Sequence, residues 1–182
     1  MDTKRISRIN LNQIETPYFL IEESSIEENC KILQQVEKKA NCKILLALKA
    51  FAVQETFPLI SKYLKGVCAS GLYEAQLGAK KFKKEVHTYS PAFKESEFSE
   101  IIKYSDVIIF NTPEQFQKFK SAIEKGKKNI KIGLRINPEK SVAREKFGVY
   151  DPCMSTSRLG TTLKNLERRN LEGITGLHFH AL

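Results

Sequence analysis

The chain has 182 residues, 41% of them hydrophobic and 28% charged, and a net charge of +9. That is an ordinary globular composition, enough for one domain with a proper core and too little for two large ones. No apolar run reaches membrane-spanning length, and Met1-Asp2-Thr3-Lys4-Arg5 lacks the apolar stretch of a secretory signal, so a cytoplasmic location is the expectation.

The elements alternate along the chain. Ser24-Ser25-Ile26-Glu27-Glu28 offers two overlapping capping boxes, and Ile26, Cys30, Leu33 and Val36 then recur at helical spacing. A strand follows at 43–49, and others at 66–70, 86–90, 107–111, 130–137 and 176–182. Between them, Ser70 opens a helix through Leu72, Ala75 and Ala79, and Phe98, Ile101 and Ile102 mark another. Thr112-Pro113-Glu114-Gln115 sets a cap residue, a first-turn proline and a box glutamine in order before Phe116, Phe119 and Ile123. Strand and helix repeating at this spacing predict an α/β fold with a parallel sheet, either an open doubly wound sheet or a (β/α)8 barrel.

Residue parity within the strands separates two faces. Ile44, Leu46 and Leu48 oppose Leu45, Ala47 and Lys49; Ile132, Leu134 and Ile136 oppose Gly133, Arg135 and Asn137; Leu177 and Phe179 oppose His178 and His180. Lys49, Ser70, Ser90, Asn111, Arg135 and His180 fall at or near strand C-termini, where both parallel architectures bind ligands. Lys49 is the most informative of them. A charged amine ending an apolar strand is either a lysine that snorkels to water or an amine kept partly dehydrated and nucleophilic, able to form a Schiff base.

Other features carry less chemistry. Cys30, Cys42, Cys68 and Cys153 have no CxxC pairing and read as reduced, mostly structural thiols. His178 and His180 lack the acidic or thiol companions of a metal site, so no metal is expected. The basic runs at Lys80-Lys81, Lys83-Lys84, Lys125 and Lys127-Lys128 read as solvated helix ends and loops. Without interleaved aromatics or a recognisable module, nucleic-acid binding is not expected. Leu182 falls within an apolar strand and six strands are two short of a barrel, so the expectation is the N-terminal part of a longer protein.

Several blocks together resemble the carboxynorspermidine (carboxyspermidine) decarboxylases, alanine-racemase-like enzymes of the fold type III pyridoxal-phosphate class. The blocks are Leu45-Leu46-Ala47-Leu48-Lys49-Ala50-Phe51-Ala52, Cys68-Ala69-Ser70-Gly71-Leu72-Tyr73-Glu74-Ala75 and Glu85-Val86-His87-Thr88-Tyr89-Ser90-Pro91-Ala92-Phe93-Lys94. Gly133-Leu134-Arg135-Ile136-Asn137-Pro138, Ser157-Arg158-Leu159-Gly160 and Gly176-Leu177-His178-Phe179-His180 continue it in the family's order. The resemblance implies an incomplete barrel of the alanine-racemase N-terminal type, with about six of eight strands over residues 23–182. It implies that residues 1–22 pair with a C-terminal β domain lying outside this chain.

By resemblance, Lys49 is the catalytic lysine that bonds covalently to pyridoxal 5'-phosphate, and His180 stacks on the cofactor ring, with His178 the competing assignment. Arg135 is implied near the phenolic oxygen or paired with Glu74, and Ser70, like Ser90, is implied at the pocket wall. Ordinary roles stand beside these: a helix cap for Ser70, a Ser-Pro turn for Ser90, a buried ion pair for Arg135 with Glu74, and a loop charge for Arg158. Cys153, in an Asp-Pro-Cys turn, is not the family's acid cysteine. The implied reaction is decarboxylation of carboxynorspermidine or carboxyspermidine in polyamine biosynthesis, by a homodimer, with this piece inactive alone. The alternatives are a non-catalytic pyridoxal-phosphate-binding barrel and another amino-acid decarboxylase or racemase of the same fold.

Overall fold

The computed structural model describes residues 10, 13–126, 128–141, 151–167 and 169–180. Its six strands are β1 Leu45–Ala47, β2 Gly66–Ala69, β3 Glu85–Tyr89, β4 Val107–Phe110, β5 Lys131–Arg135 and β6 Gly176–His178. They form one sheet in chain order, and every neighbouring pair is parallel. A doubly wound sheet reverses its strand order at a switch point, and this one never does. The sheet is a half-barrel with its helices on the outer side.

Helix α1 (Glu23–Ala40) precedes β1, and α2 (Phe57–Ile60) follows it after a 3-10 turn at Gln54–Thr56. Then come α3 (Leu72–Leu77) running into a π turn at Gly78–Phe82, α4 (Glu95–Tyr104), α5 (Pro113–Lys125) and α6 (Leu163–Leu166). The start of α5 forms as its residues predict: the Thr112 hydroxyl accepts from the Gln115 N–H, while the Gln115 carboxamide accepts from the Asn111 N–H.

The start of α1 differs from expectation. The helix begins one residue before Ser24, so both serines lie inside its first turn and donate their hydroxyls to the Glu22 carboxylate at 3.0 and 2.7 Å. At α3 the cap position is Gly71, not Ser70. Strand β1 is shorter than the apolar run because the chain turns at Leu48–Ala50, where the Ala50 and Phe51 N–H groups both bond the Ala47 carbonyl. Ala181 and Leu182, expected at the end of β6, lie outside the described residues.

The outer faces carry the core. Val67, Ala69, Val86 and Leu48 pack with Phe57, Ile60 and Phe82 under α2 and α3. Ile108, Phe110 and Ile132 pack with Phe98, Ile101, Phe116 and Phe119 under α4 and α5. Such burial is worth about 1.5–3 kcal/mol per large side chain. Gly78 permits the close approach of helix to sheet, since a Cβ there would sit 2.4 Å from a Val67 methyl.

One polar pair is sealed in this layer: the Thr88 and Ser105 hydroxyls meet at 2.7 Å, both side chains fully buried. Ser105→Ala is expected to cost about 1–3 kcal/mol by stranding the Thr88 hydroxyl. Adding Thr88→Val should return most of that loss, which denaturant titration of both variants would measure.

Candidate active site in the barrel lumen

The register aligns the inward residues in rows. Tyr89 pairs with Ile109, Ile109 with Gly133, and Gly133 with Gly176; one step further along, Arg135 pairs with His178. Lys49 stands two residues beyond Ala47, the last residue of β1, and Leu48 is buried on the opposite face at 2% exposure. From the turn that follows β1, the lysine lines the concave face.

These side chains surround a cavity of about 450 Å³ at the concave face. Lys49, Ser70, His87, Tyr89, Arg135, His178 and His180 supply its polar lining, with Cys68 and Ile109 between them and Pro152 and Leu159 closing one side. No Asp or Glu lines it among the described residues. Two cationic side chains without a carboxylate make the cavity suited to an anionic ligand.

Lys49, Ser70, Arg135 and His180, expected from the sequence, meet here. Lys49 is solvent-exposed on its turn, the water-facing one of the two settings open to it from the sequence. Glu74 is not in the lining. Its carboxylate turns back at the start of α3 and accepts the Ser70 N–H at 2.7 Å, so it shapes the wall through Ser70's backbone. Ser90 makes a local turn bond to the Ala92 carbonyl and stays out of the lining. Arg158 is exposed, and its carbonyl is held by the Asn111 side chain.

Arg135 is 5% exposed and has no ion-pair partner among the described residues; its Nε is buried without a hydrogen-bond acceptor. The guanidinium carbon instead lies 4.8 Å from the centre of the Tyr89 ring. His178 rests on the same tyrosine, ring centres 5.3 Å apart, and its Nδ1 is also buried and unpartnered. Burial first, then the charges of Arg135, His180 and Lys49, lower the His178 pKa to about 4. Burial and the same two cations lower His180 as well. Both rings are therefore neutral at neutral pH.

Cys153 is buried beside them and its thiol donates to the His180 carbonyl at 3.4 Å, a structural position. His87 stands 3.2 Å from Glu85 without hydrogen-bond alignment, and Glu85 holds Lys43 at 2.6 Å near the base of the lumen.

A His178 pKa near 4 has a measurable consequence. The unfolded imidazole, titrating at its ordinary value of about 6.5, binds more protons than the folded one between those two values. This group's contribution to stability is present above about 6.5 and is lost as pH falls through about 4. An NMR titration of the His178 ring protons should give a midpoint near 4. A midpoint above 6 would mean the ring is solvated.

The Alanine racemase, N-terminal domain model matches residues 21–181. The chain belongs to this family. Within the alanine racemase N-terminal-domain family, it is 45% identical over 170 residues to a carboxynorspermidine/carboxyspermidine decarboxylase of Campylobacter jejuni, spanning 93% of this chain and 43% of that protein. It is 36% identical over 172 residues to a carboxyaminopropylagmatine decarboxylase of Synechocystis, covering 94% of this chain and 43% of the relative. The crystal structure of the Campylobacter jejuni carboxynorspermidine decarboxylase complexed with norspermidine superposes with a TM-score of 0.80 at 41% identity, over 93% of this chain and 42% of that one. The chain thus spans less than half the length of these relatives.

The part played by Tyr89 is not visible from the sequence, and that of Asn111 is visible only as a position. Tyr89 reaches residues of β5 and β6 from β3, and parity alone cannot show a contact across that distance. Asn111 was visible as a strand-end polar residue, yet its bonds tie three separate segments together: its Oδ1 accepts from the Tyr89 hydroxyl and the Gly160 N–H, and its Nδ2 donates to the Arg158 carbonyl.

Proposed function

We propose that the protein is a pyridoxal 5'-phosphate-dependent decarboxylase of carboxynorspermidine or carboxyspermidine, acting in polyamine biosynthesis. The observation that carries this reading is the convergence of Lys49, Arg135 and two neutral histidines on one lumen without a carboxylate. The residues fit the cofactor. The Lys49 amine would hold it covalently, the uncharged His180 ring would lie against its pyridine face, and the unpartnered Arg135 would donate to an anionic oxygen. Ser70, its backbone braced by Glu74, would border it.

When bound, pyridoxal phosphate supplies a carbonyl for amine capture and a ring that takes up the electrons left by departing carbon dioxide. Among the described residues the lining has no acid to receive the distal ammonium groups of a polyamine. Those recognition groups are proposed to come from outside it, across a homodimer interface. We also place residues 1–22 against a β domain, where Phe19, 99% exposed, would find cover.

The test is borohydride trapping of the cofactor on Lys49, together with carbon dioxide release from both acids by the complete protein. Trapping without release from any carboxylated polyamine would favour a cofactor-binding barrel without this catalysis. Faster release from carboxyaminopropylagmatine would move the substrate toward that of the Synechocystis relative.

A further inference from the structure

We propose that Tyr89 is the positioning residue of this site: its ring holds the Arg135 guanidinium in the lumen in place of a carboxylate, while its hydroxyl is bonded to Asn111. The inference rests on the cofactor reading above and adds how its arginine is aimed.

A buried guanidinium is ordinarily oriented by an acid, which also neutralises it. Here the sequence offered Glu74 for that purpose, and the structure spends Glu74 on the Ser70 N–H. What remains next to Arg135 is an aromatic face at 4.8 Å, a contact that orients a cation without cancelling its charge. The Arg135 Nε accordingly stays buried without an acceptor.

The reach of Tyr89 has a sequence cause. Beyond Ile109, its row of inward positions continues with Gly133 and Gly176, so no side chain stands between the phenol and the Arg135–His178 pair. At Gly133 a Cβ would stand 3.0 Å from Ile109, whose side chain would have to give way.

The far end of the ring is equally fixed. The Tyr89 hydroxyl donates to the Asn111 Oδ1 at 2.9 Å, and that Oδ1 also accepts the Gly160 N–H at 2.7 Å. The Asn111 carbonyl accepts the Thr161 hydroxyl at 2.9 Å. Asn111 thereby locks the loop that bears Leu159 onto the strand ends and onto the ring that carries Arg135. Burial raises the Tyr89 phenol's pKa against the opposing influence of Arg135 and Arg158, so the hydroxyl is a donor at neutral pH.

The test is a double-mutant cycle on the affinity of the cofactor-free protein for pyridoxal 5'-phosphate. Tyr89→Phe keeps the face and should change the dissociation constant by no more than about threefold; Tyr89→Leu removes it and should weaken binding by about tenfold or more. In an Arg135→Ala background the leucine change should have little further effect. A leucine variant that binds like the parent, or an equal loss in both backgrounds, overturns the proposal. Should the leucine variant not fold, Tyr89→Met replaces it under the same criteria.

A second readout needs no cofactor. His178 faces Arg135, His180 and Lys49, and displacement of the guanidinium should raise its NMR titration midpoint in Tyr89→Leu but not in Tyr89→Phe, with a smaller rise when Arg135 is already alanine. An unchanged midpoint in the leucine variant overturns the proposal. A parent protein that binds no pyridoxal phosphate would sink the functional reading while this titration still decides the role of Tyr89.

Discussion

Replacing Lys49 with alanine should lower decarboxylation by the complete protein at least about a thousandfold, on the order of 4 kcal/mol in barrier height. The size follows from the inventory of the lumen. Among the described residues lining the cavity, Lys49 carries the sole primary amine, so no neighbour can take over a covalent attachment. The same substitution should leave the fold nearly intact. Lys49 is exposed, and its turn is held by backbone bonds that alanine preserves: Leu48 N–H to the Cys68 carbonyl at 3.1 Å, Ala50 N–H to the Ala47 carbonyl at 3.0 Å. Measured together, an unchanged melting transition and a collapsed turnover would assign the loss to chemistry. Partial recovery with added small primary amines would strengthen that assignment, because the missing group is then supplied from solution. Retention of more than about a tenth of the activity would refute the role.

The sheet was legible because its signals are local. Each strand is a short apolar run with period two, and the residue parity that buries Val67, Val86 and Ile108 also turns Tyr89 and Arg135 inward. The choice between open sheet and barrel was not local. It depends on strand order, which periodicity does not encode, and only the unbroken sequence of neighbours settles it. The errors at helix starts have a common cause. Ser24, Ser25 and Ser70 are all good caps, but each sits beside a glutamate whose carboxylate takes up the available donors in another geometry.

Of the two settings open for Arg135, the pairing with Glu74 does not form, for a related reason. An acid four residues after Ser70 looks suitable for an ion pair, whereas a tyrosine two strands away does not announce itself. Contacts that span β3 to β6 arise from sheet curvature and from the empty glycine positions between, neither of which a linear pattern displays.

Phe110→Ala is expected to cost about 3–5 kcal/mol, a large part of the roughly 5–15 kcal/mol that holds a domain together. Phe110 is fully buried at the end of β4, and its ring meets those of Phe93, Phe98, Phe116 and Phe119 at centre distances of 5.6, 6.0, 5.5 and 6.3 Å. Its removal opens a cavity bordered by rings from three segments, which cannot all close on it together. Phe110→Leu keeps most of the volume and should cost less than half as much. The effect should also reach the lumen, because the next residue is Asn111, whose side chain secures Tyr89 and the Arg158–Gly160 backbone. Denaturant unfolding monitored alongside pyridoxal-phosphate affinity separates the two consequences. Leucine should restore both stability and affinity over alanine, since both depend on where β4 ends. A cost below about 1 kcal/mol for alanine would mean that the phenylalanines do not form one continuous core. Restored stability without restored affinity would uncouple that core from the lumen.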